Sequence, residues 1–125
     1  MVGDAARDDR ETLLLRGTLD LVVLALLRTP NHAYGVVQDL QEAGFAQTGY
    51  GSVYPLVTRL RRQGLLAQES RPSPSGPARN VLRLTPAGSA ALREWEARWR
   101  HHNARIESVL ERTTSGAVTE RKAHV

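Results

Sequence analysis

Hydrophobic residues in the first half of the chain follow the spacing of three helices. Segment 12–28 carries leucine or valine at most positions and predicts a long helix that is buried on most sides. Segment 33–43 predicts a second, shorter helix. Its apolar residues, Tyr34 among them, repeat at spacings that place them near one helical face. A third helix is predicted at 53–63, with Ser52 as its N-cap.

Proline and glycine shape the segments that follow. Pro55 is compatible with the first turn of the third helix, and Gly64 predicts the end of that helix. Segments 65–71 and 78–84 are typical of two short strands. The proline-rich residues between them predict a hairpin with a long tip, because such a segment cannot continue either strand.

The last predicted helix begins after Thr85, an N-cap that is followed by proline. This order of elements predicts a mainly α fold with a small β-hairpin. We interpret 12–84 as a winged helix-turn-helix and 85–112 as a long C-terminal dimerisation helix. Residues 1–11 and 113–125 lack apolar periodicity and are expected to be disordered.

Length and composition narrow the class of protein. A chain of 125 residues fits one compact domain, and domains of this size often gain stability by oligomerising. The absence of cysteine excludes disulfides and thiolate metal sites. The longest apolar stretch, 21–27, is far shorter than the roughly 20 residues of a membrane helix, and the N-terminus lacks the basic start of a signal peptide. We therefore expect a soluble, cytoplasmic protein.

The charge distribution indicates a polyanionic partner. The chain has a formal net charge of +4 and a pI near 10.3. Segment 51–83 holds six arginines and one glutamate, a net charge of +5, so the remainder of the chain carries −1. Arginine can hold a phosphate or a guanine edge with two hydrogen bonds. The pattern favours double-stranded DNA as the partner.

The third helix is the predicted recognition helix, because its polar and apolar residues lie on opposite sides. Its candidate DNA-binding residues are Ser52, Thr58, Arg59, Arg61 and Arg62, with Tyr54 flanking them. The hydroxyls of Ser52 and Thr58 are candidate donors to phosphate. Two alternatives remain open: the arginines fit a merely solvated face, and Ser52 fits a helix cap alone.

The last helix carries large side chains spaced 3, 4, 3, 4 and 3 residues apart, which is typical of a coiled-coil seam. The seam consists of Leu92, Trp95, Trp99, His102, Ile106 and Val109. Packing on the chain's own domain is one way to cover it. A homodimer is favoured, because the first three helices already supply a core. His101 and His102 lack nearby carboxylates and cysteines, so no metal site is predicted.

Catalytic and cofactor-binding motifs are absent from the sequence. The four histidines are scattered, and there is no nucleophile elbow, P-loop or dinucleotide fingerprint. We therefore expect neither an enzyme nor a cofactor. The competing interpretation is a winged helix that serves as a protein-interaction module without sequence-specific DNA binding.

Four segments together resemble the PadR family of transcriptional regulators. They are 15–20, 33–37, 51–56 with 59–60, and 82–88. The Tyr-Gly pair in the second segment and the Ser-Val-Tyr-Pro-Leu stretch in the third are the most specific. The resemblance spans about 13–110, and the single C-terminal helix is similar to the short subclass of the family.

The resemblance implies a dimeric repressor on a pseudo-palindromic operator, often released by a small molecule. It also implies that Ser52, Tyr54 and the wing arginine, Arg79, contact DNA. The lysine and two aromatic residues that usually follow that arginine are here Asn80, Val81 and Leu82. This departure weakens the analogy for the wing more than for the recognition helix.

Trp95 and Trp99 lie one helical turn apart and admit two interpretations. They are ordinary core, or they line a flat pocket for an aromatic or planar small-molecule effector, as the resemblance implies for some short members. Whether such an effector would release or promote DNA binding is left open by the sequence.

Overall fold

The computed structural model describes residues 10–46 and 48–114. The elements are, in chain order, α1 (Leu19–Leu26), α2 (Ala33–Glu42), α3 (Tyr50–Arg62), β1 (Leu66–Ser73), β2 (Gly76–Leu84) and α4 (Pro86–Thr114). Residues 10–16 are also helical. The predicted mainly α fold with a small hairpin and a long last helix is confirmed. Most of the two segments expected to be disordered, 1–11 and 113–125, lies outside the described residues.

The chain divides into two compact units, one ending at Leu92 and the next beginning at Arg93. Every named helix and strand of the first unit contributes to its core. The buried hydrophobic residues are Val23, Leu24, Leu27, Val36, Val37, Leu40, Val53, Val57, Leu60, Leu66, Leu82 and Leu92. The described part of the second unit is the remainder of α4. No helix within the described ranges is both long and apolar enough to cross a membrane.

The predicted continuous helix over 12–28 is wrong, because the chain leaves helical geometry at Gly17 and Thr18. Thr18 has φ −132°, and its amide donates to the carbonyl three residues back at 3.0 Å. Its hydroxyl donates to the carbonyl of Leu14 at 2.8 Å. Glycine and threonine both disfavour a helix interior, which explains the break. Segment 10–16 and α1 are therefore separate helical segments.

The hairpin is attached to the helices through the residue pair Asn31 and Leu82. The Asn31 amide donates to the Leu82 carbonyl at 3.1 Å, and the Leu82 amide donates back to the Asn31 carbonyl at 2.8 Å. Because Leu82 is also buried in the core, this bridge fixes β2 beside the start of α2. The hairpin formed by β1 and β2, which we call the wing, is thus attached directly to the helices of the first unit.

The predicted long hairpin tip is wrong. The antiparallel strands continue to Ser73 and start again at Gly76, which leaves a two-residue turn. Pro72 lies where the pairing register shifts between Arg71 and Ser73. In a two-stranded sheet each strand has an unpaired edge, and such edges tolerate the missing N–H of proline.

The predicted cap of the last helix is confirmed. The Thr85 hydroxyl accepts a hydrogen bond from the Gly88 amide at 2.9 Å and donates to the Gly64 carbonyl at 2.6 Å. Gly64 ends α3 as predicted, with φ 78° in the left-handed region. A Cβ at the buried Gly88 would collide with the carbonyl oxygen of Leu65. Thr85 and Gly88 together hold the start of α4 against the end of α3.

Candidate nucleic-acid interface

Helix α3 begins at Tyr50 with Gly49 as its N-cap, three residues earlier than predicted. The prediction that Ser52 is the N-cap is therefore wrong, and Ser52 is an exposed residue of the first turn. Pro55 lies in the helix interior and not in the first turn, so one backbone hydrogen bond of the helix is missing there. The Tyr50 ring stacks on that of Tyr54 at a centroid distance of 5.3 Å, which stabilises the extra turn.

The outer side of α3 carries the predicted polar and cationic residues. Val53, Val57 and Leu60 are buried, and Ser52, Tyr54, Arg59, Arg61 and Arg62 are exposed. Thr58 is half-buried, and its hydroxyl donates to the Tyr54 carbonyl at 3.0 Å. The Thr58 hydroxyl would therefore have to rotate before it could donate to a phosphate, and its predicted DNA contact stays a prediction.

A concavity of about 380 Å³ lies between the first turn of α2, the wing-facing side of α3 and the hairpin. It brings together four of the predicted DNA-binding residues, namely Tyr54, Thr58, Arg61 and Arg79. Ser52, Arg59 and Arg62 are exposed elsewhere on α3 and do not line it. The predicted site residues thus divide into a group facing the wing and a group facing away from it.

Two tyrosines of this concavity were missed by the sequence analysis. Tyr34 was placed on the apolar face of the second helix, but it is 60% exposed, and its neighbour Gly35 is buried instead. Tyr50 lies before the predicted third helix, 53–63, yet it opens α3 and lines the concavity. Helical spacing could have identified Tyr34. It is two residues before the buried Val36, which corresponds to about 200° around a helix and sets the two side chains on opposite sides.

His32 also lines the concavity and caps α2. Its Nδ1 accepts a hydrogen bond from the Gly35 amide at 3.0 Å, and its own amide donates to Asn31 Oδ1 at 2.9 Å. A Cβ at Gly35 would collide with the Asn31 side chain. Because Nδ1 accepts, the neutral ring carries its proton on Nε2, which leaves a donor for an outside acceptor.

The arginines of the wing are not equivalent. Arg71 forms a salt bridge of 2.6 Å with Glu69, the one acidic residue of segment 51–83. Arg79 pairs with Arg71 across the hairpin and forms no salt bridge within the described part of the chain. Like charges placed opposite each other repel, and an anion beside Arg79 would relieve that repulsion. Likewise, no salt bridge to a described residue is formed by Arg59, Arg61 or Arg62.

The second unit presents most of the predicted seam on its surface. Trp99, Ile106 and Val109 are 45–47% exposed, His102 is exposed, and Trp95 is half-buried. Leu110, which the prediction omitted, is 54% exposed beside them. Leu92, by contrast, belongs to the buried core of the first unit. No group of three metal-ligating side chains occurs within the described ranges.

Comparison with known proteins places this geometry among transcription regulators. The model of the family described as "Transcriptional regulator PadR-like family" matches residues 22–94. Transcriptional regulator Rv3488 of Mycobacterium tuberculosis is 43% identical over 63 residues, which are 50% of this chain and 57% of that protein. The match thus spans little more than half the length of that relative.

Solved structures extend the similarity beyond the matched segment. The PadR family transcriptional regulator from Eggerthella lenta has a TM-score of 0.79 and 36% identity, covering 89% of this chain and 97% of that one. A Streptococcus transcriptional regulator has a TM-score of 0.71 and 31% identity, covering 77% of this chain and 95% of that one. Both structures cover more of this chain than the segment 22–94 that the family model matches.

Proposed function

This chain belongs to the PadR-like family of transcriptional regulators, and from that premise we propose that it is a homodimeric repressor of a palindromic DNA operator. The resemblance predicted from the sequence is confirmed at the level of the family. The family is one of DNA-binding regulators and not of enzymes. Repression, dimerisation and control by an effector are the parts that we propose.

The observation that carries the DNA-binding site is the concavity between α2, α3 and the hairpin. Arg61 and Arg79 approach it from the recognition helix and from the wing, respectively. Two cations on separate elements suit the phosphates that flank a major groove, whereas base edges are contacted by the helix itself. We assign the wing-facing group to the DNA backbone, and Arg59, Arg62 and Ser52 to the groove.

Titration of the chain's own upstream DNA at two salt concentrations tests this assignment. A specific regulator is expected to bind that DNA more tightly than a scrambled duplex of equal length at both salt concentrations. Affinity for both duplexes is expected to fall as salt rises, because phosphate contacts release counterions. Equal affinity for the two duplexes would favour the alternative, a protein-interaction module. A promoter assay with the same DNA then distinguishes repression from activation.

The proposed dimer rests on the exposed apolar residues of α4. Trp99, Ile106 and Val109 repeat at seam spacing and remain about half exposed in one protomer. A two-fold partner helix would cover them. Recognition helices of such dimers lie about 34–36 Å apart, one turn of DNA, so the operator is expected to be palindromic.

We further propose that Trp95 and Trp99 form an effector site for an aromatic or planar molecule at the same dimer interface. A ligand acts as an effector only if it has different affinities for two geometries of the dimer. Binding is expected to quench tryptophan fluorescence and to weaken operator binding. Trp99→Ala should remove both responses and leave operator binding by the ligand-free protein largely intact, since the other seam residues remain. Loss of folding or of dimerisation in this variant would identify Trp99 as ordinary core.

A further inference from the structure

The first unit contains a second cavity, separate from the candidate DNA interface. Its volume is about 370 Å³, and it lies between helical segment 10–16 and the turn that leads into α3. Leu14, Leu15 and Phe45 supply an apolar lining. This volume falls within the range of about 300–1,000 Å³ that is usual for small-molecule sites.

The polar atom that distinguishes this cavity is the hydroxyl of Thr48. Thr48 lines the cavity and is only 2% exposed, and its Oγ1 is buried with no hydrogen-bond partner among the described residues. The rest of the residue is held in place: its amide donates to the Phe45 carbonyl at 3.0 Å, and its carbonyl accepts from Gln41 Nε2 at 3.3 Å. An unpaired buried hydroxyl is costly, and native structures seldom retain one.

The other polar groups of the lining define the ligand further. The Thr18 hydroxyl is already used, because it donates to the Leu14 carbonyl. Glu11 is the charged residue of the lining and is exposed, so it disfavours an anionic ligand. We propose that this cavity binds a small, neutral, mainly apolar molecule that carries one hydroxyl group, and that this group pairs with Thr48 Oγ1 once the Thr48 side chain rotates toward the cavity.

Such a ligand would contact the chain directly before the recognition helix. Thr48 precedes Gly49, the N-cap of α3, and Tyr50 then begins the helix. Occupation of the cavity therefore restrains the turn that positions Tyr50 and Tyr54. An effect on DNA affinity would rest on the proposed function, but binding of the ligand does not.

The test measures binding of two matched probes to the full chain by calorimetry and by amide chemical shifts. The probes are 2-naphthol and 2-methylnaphthalene, which have the same shape and differ in the hydroxyl. We expect 2-naphthol to bind more tightly and to shift the amide signals of Gly44, Ala46 and Thr48. Thr48→Val should weaken 2-naphthol by about tenfold and leave 2-methylnaphthalene unchanged, as expected for the loss of one buried hydrogen bond.

Two variants serve as controls. Thr48→Ser retains the hydroxyl and should retain tight binding of 2-naphthol, and Thr12→Val removes an exposed hydroxyl of the same lining and should have no effect. Thr48→Val is not expected to lower the unfolding temperature, because it removes a hydroxyl that has no partner. Equal affinity for the two probes, no binding of either, or shifts confined to the tryptophan indoles would overturn the proposal. None of these outcomes depends on DNA, so they are independent of the proposed repressor function.

Discussion

The two compact units of this chain differ in how far their hydrophobic side chains are buried. In the first unit, every named helix and strand contributes a valine or leucine that is at most 3% exposed, although Leu13 and Leu14 of segment 10–16 are 55% and 60% exposed. In the second unit, Trp99, Ile106, Val109 and Leu110 are 45–54% exposed along one helix. The exposed residues of the first unit that matter most are arginines and tyrosines around the concavity. The named helices and strands of the first unit form a buried core, whereas the described part of the second unit has an apolar face that a single protomer leaves uncovered.

This difference indicates which parts of the fold depend on association. A single helix has no neighbours within its own unit to bury a side chain against, and isolated helices gain little stability from propensity alone. The i,i+4 salt bridges Glu94–Arg98 and Glu96–Arg100, at 2.6 and 2.7 Å, support α4 locally. Exposed pairs of this kind contribute only about 0.3–0.5 kcal/mol each. In the proposed dimer, burial of the apolar face would therefore be the larger source of stability for the second unit.

We expect the largest effect from a charge placed on the apolar face of α4. Ile106→Glu is expected to convert the proposed dimer to monomers, because a buried carboxylate without a partner is strongly unfavourable. Operator binding should then fall below detection, since each half-site supplies only part of the affinity. Light scattering and DNA titration measure the two effects. Ser108→Glu, on the opposite side of the helix, is the matched control, and a dimeric Ile106→Glu protein would place the interface elsewhere.

The next largest effect is expected on the free energy of unfolding, when a buried and an exposed aliphatic side chain are each truncated to alanine. Leu60→Ala removes a fully buried side chain of α3 and should lower the free energy of unfolding by about 2–5 kcal/mol. Val109→Ala should change unfolding far less at concentrations where the protein is monomeric, and its effect should grow with protein concentration. Denaturant titrations at two protein concentrations measure both. A concentration-independent loss of stability in Val109→Ala would contradict the proposed role of the exposed face.

The sequence predicted the helices better than it predicted their boundaries. The apolar face of α3 follows from helical spacing alone: Val53, Val57 and Leu60 are buried as expected, and Leu56 is half-buried. The break at Thr18 and the early start at Tyr50 depend on a few local hydrogen bonds and on one pair of stacked rings. These local terms are small, so spacing cannot resolve them. The hairpin tip was misjudged because proline is tolerated on the edge of a two-stranded sheet.

A third prediction concerns the two groups of arginines in the first unit. Arg62→Ala should weaken operator binding by about 1–3 kcal/mol and relax specificity, if this side chain contacts a base edge as we assign it. Arg79→Ala should weaken binding to operator and to scrambled DNA alike and should reduce the salt dependence by about one counterion. Anisotropy titrations with both duplexes measure these effects. Unchanged operator affinity in Arg62→Ala would mean that the orientation assigned to α3 is wrong.

The sequence predicted the cationic residues of this site because charge can be counted along the chain. It did not predict which of them share a concavity, since that depends on how the hairpin is attached through Asn31 and Leu82. Tyr34 and His32 were missed for a similar reason. Helical spacing sets Tyr34 away from the buried face of α2, and His32 is the N-cap of that helix, but only the arrangement of α2 beside α3 shows that both line the concavity.

The smallest expected effect tests whether His32 has a role beyond the fold of the first unit. His32→Ala removes the acceptor of the Gly35 amide and should lower the free energy of unfolding by about 1 kcal/mol, the usual value of an N-cap. His32→Asn retains a capping acceptor but lacks the outer Nε2–H donor. If His32 also donates to a phosphate, His32→Asn should unfold like the parent protein in denaturant and yet bind DNA more weakly, with a shallower dependence on salt. Parental DNA affinity in His32→Asn would show that His32 acts only as a cap, and the DNA-facing surface of the first unit would then begin at Tyr34.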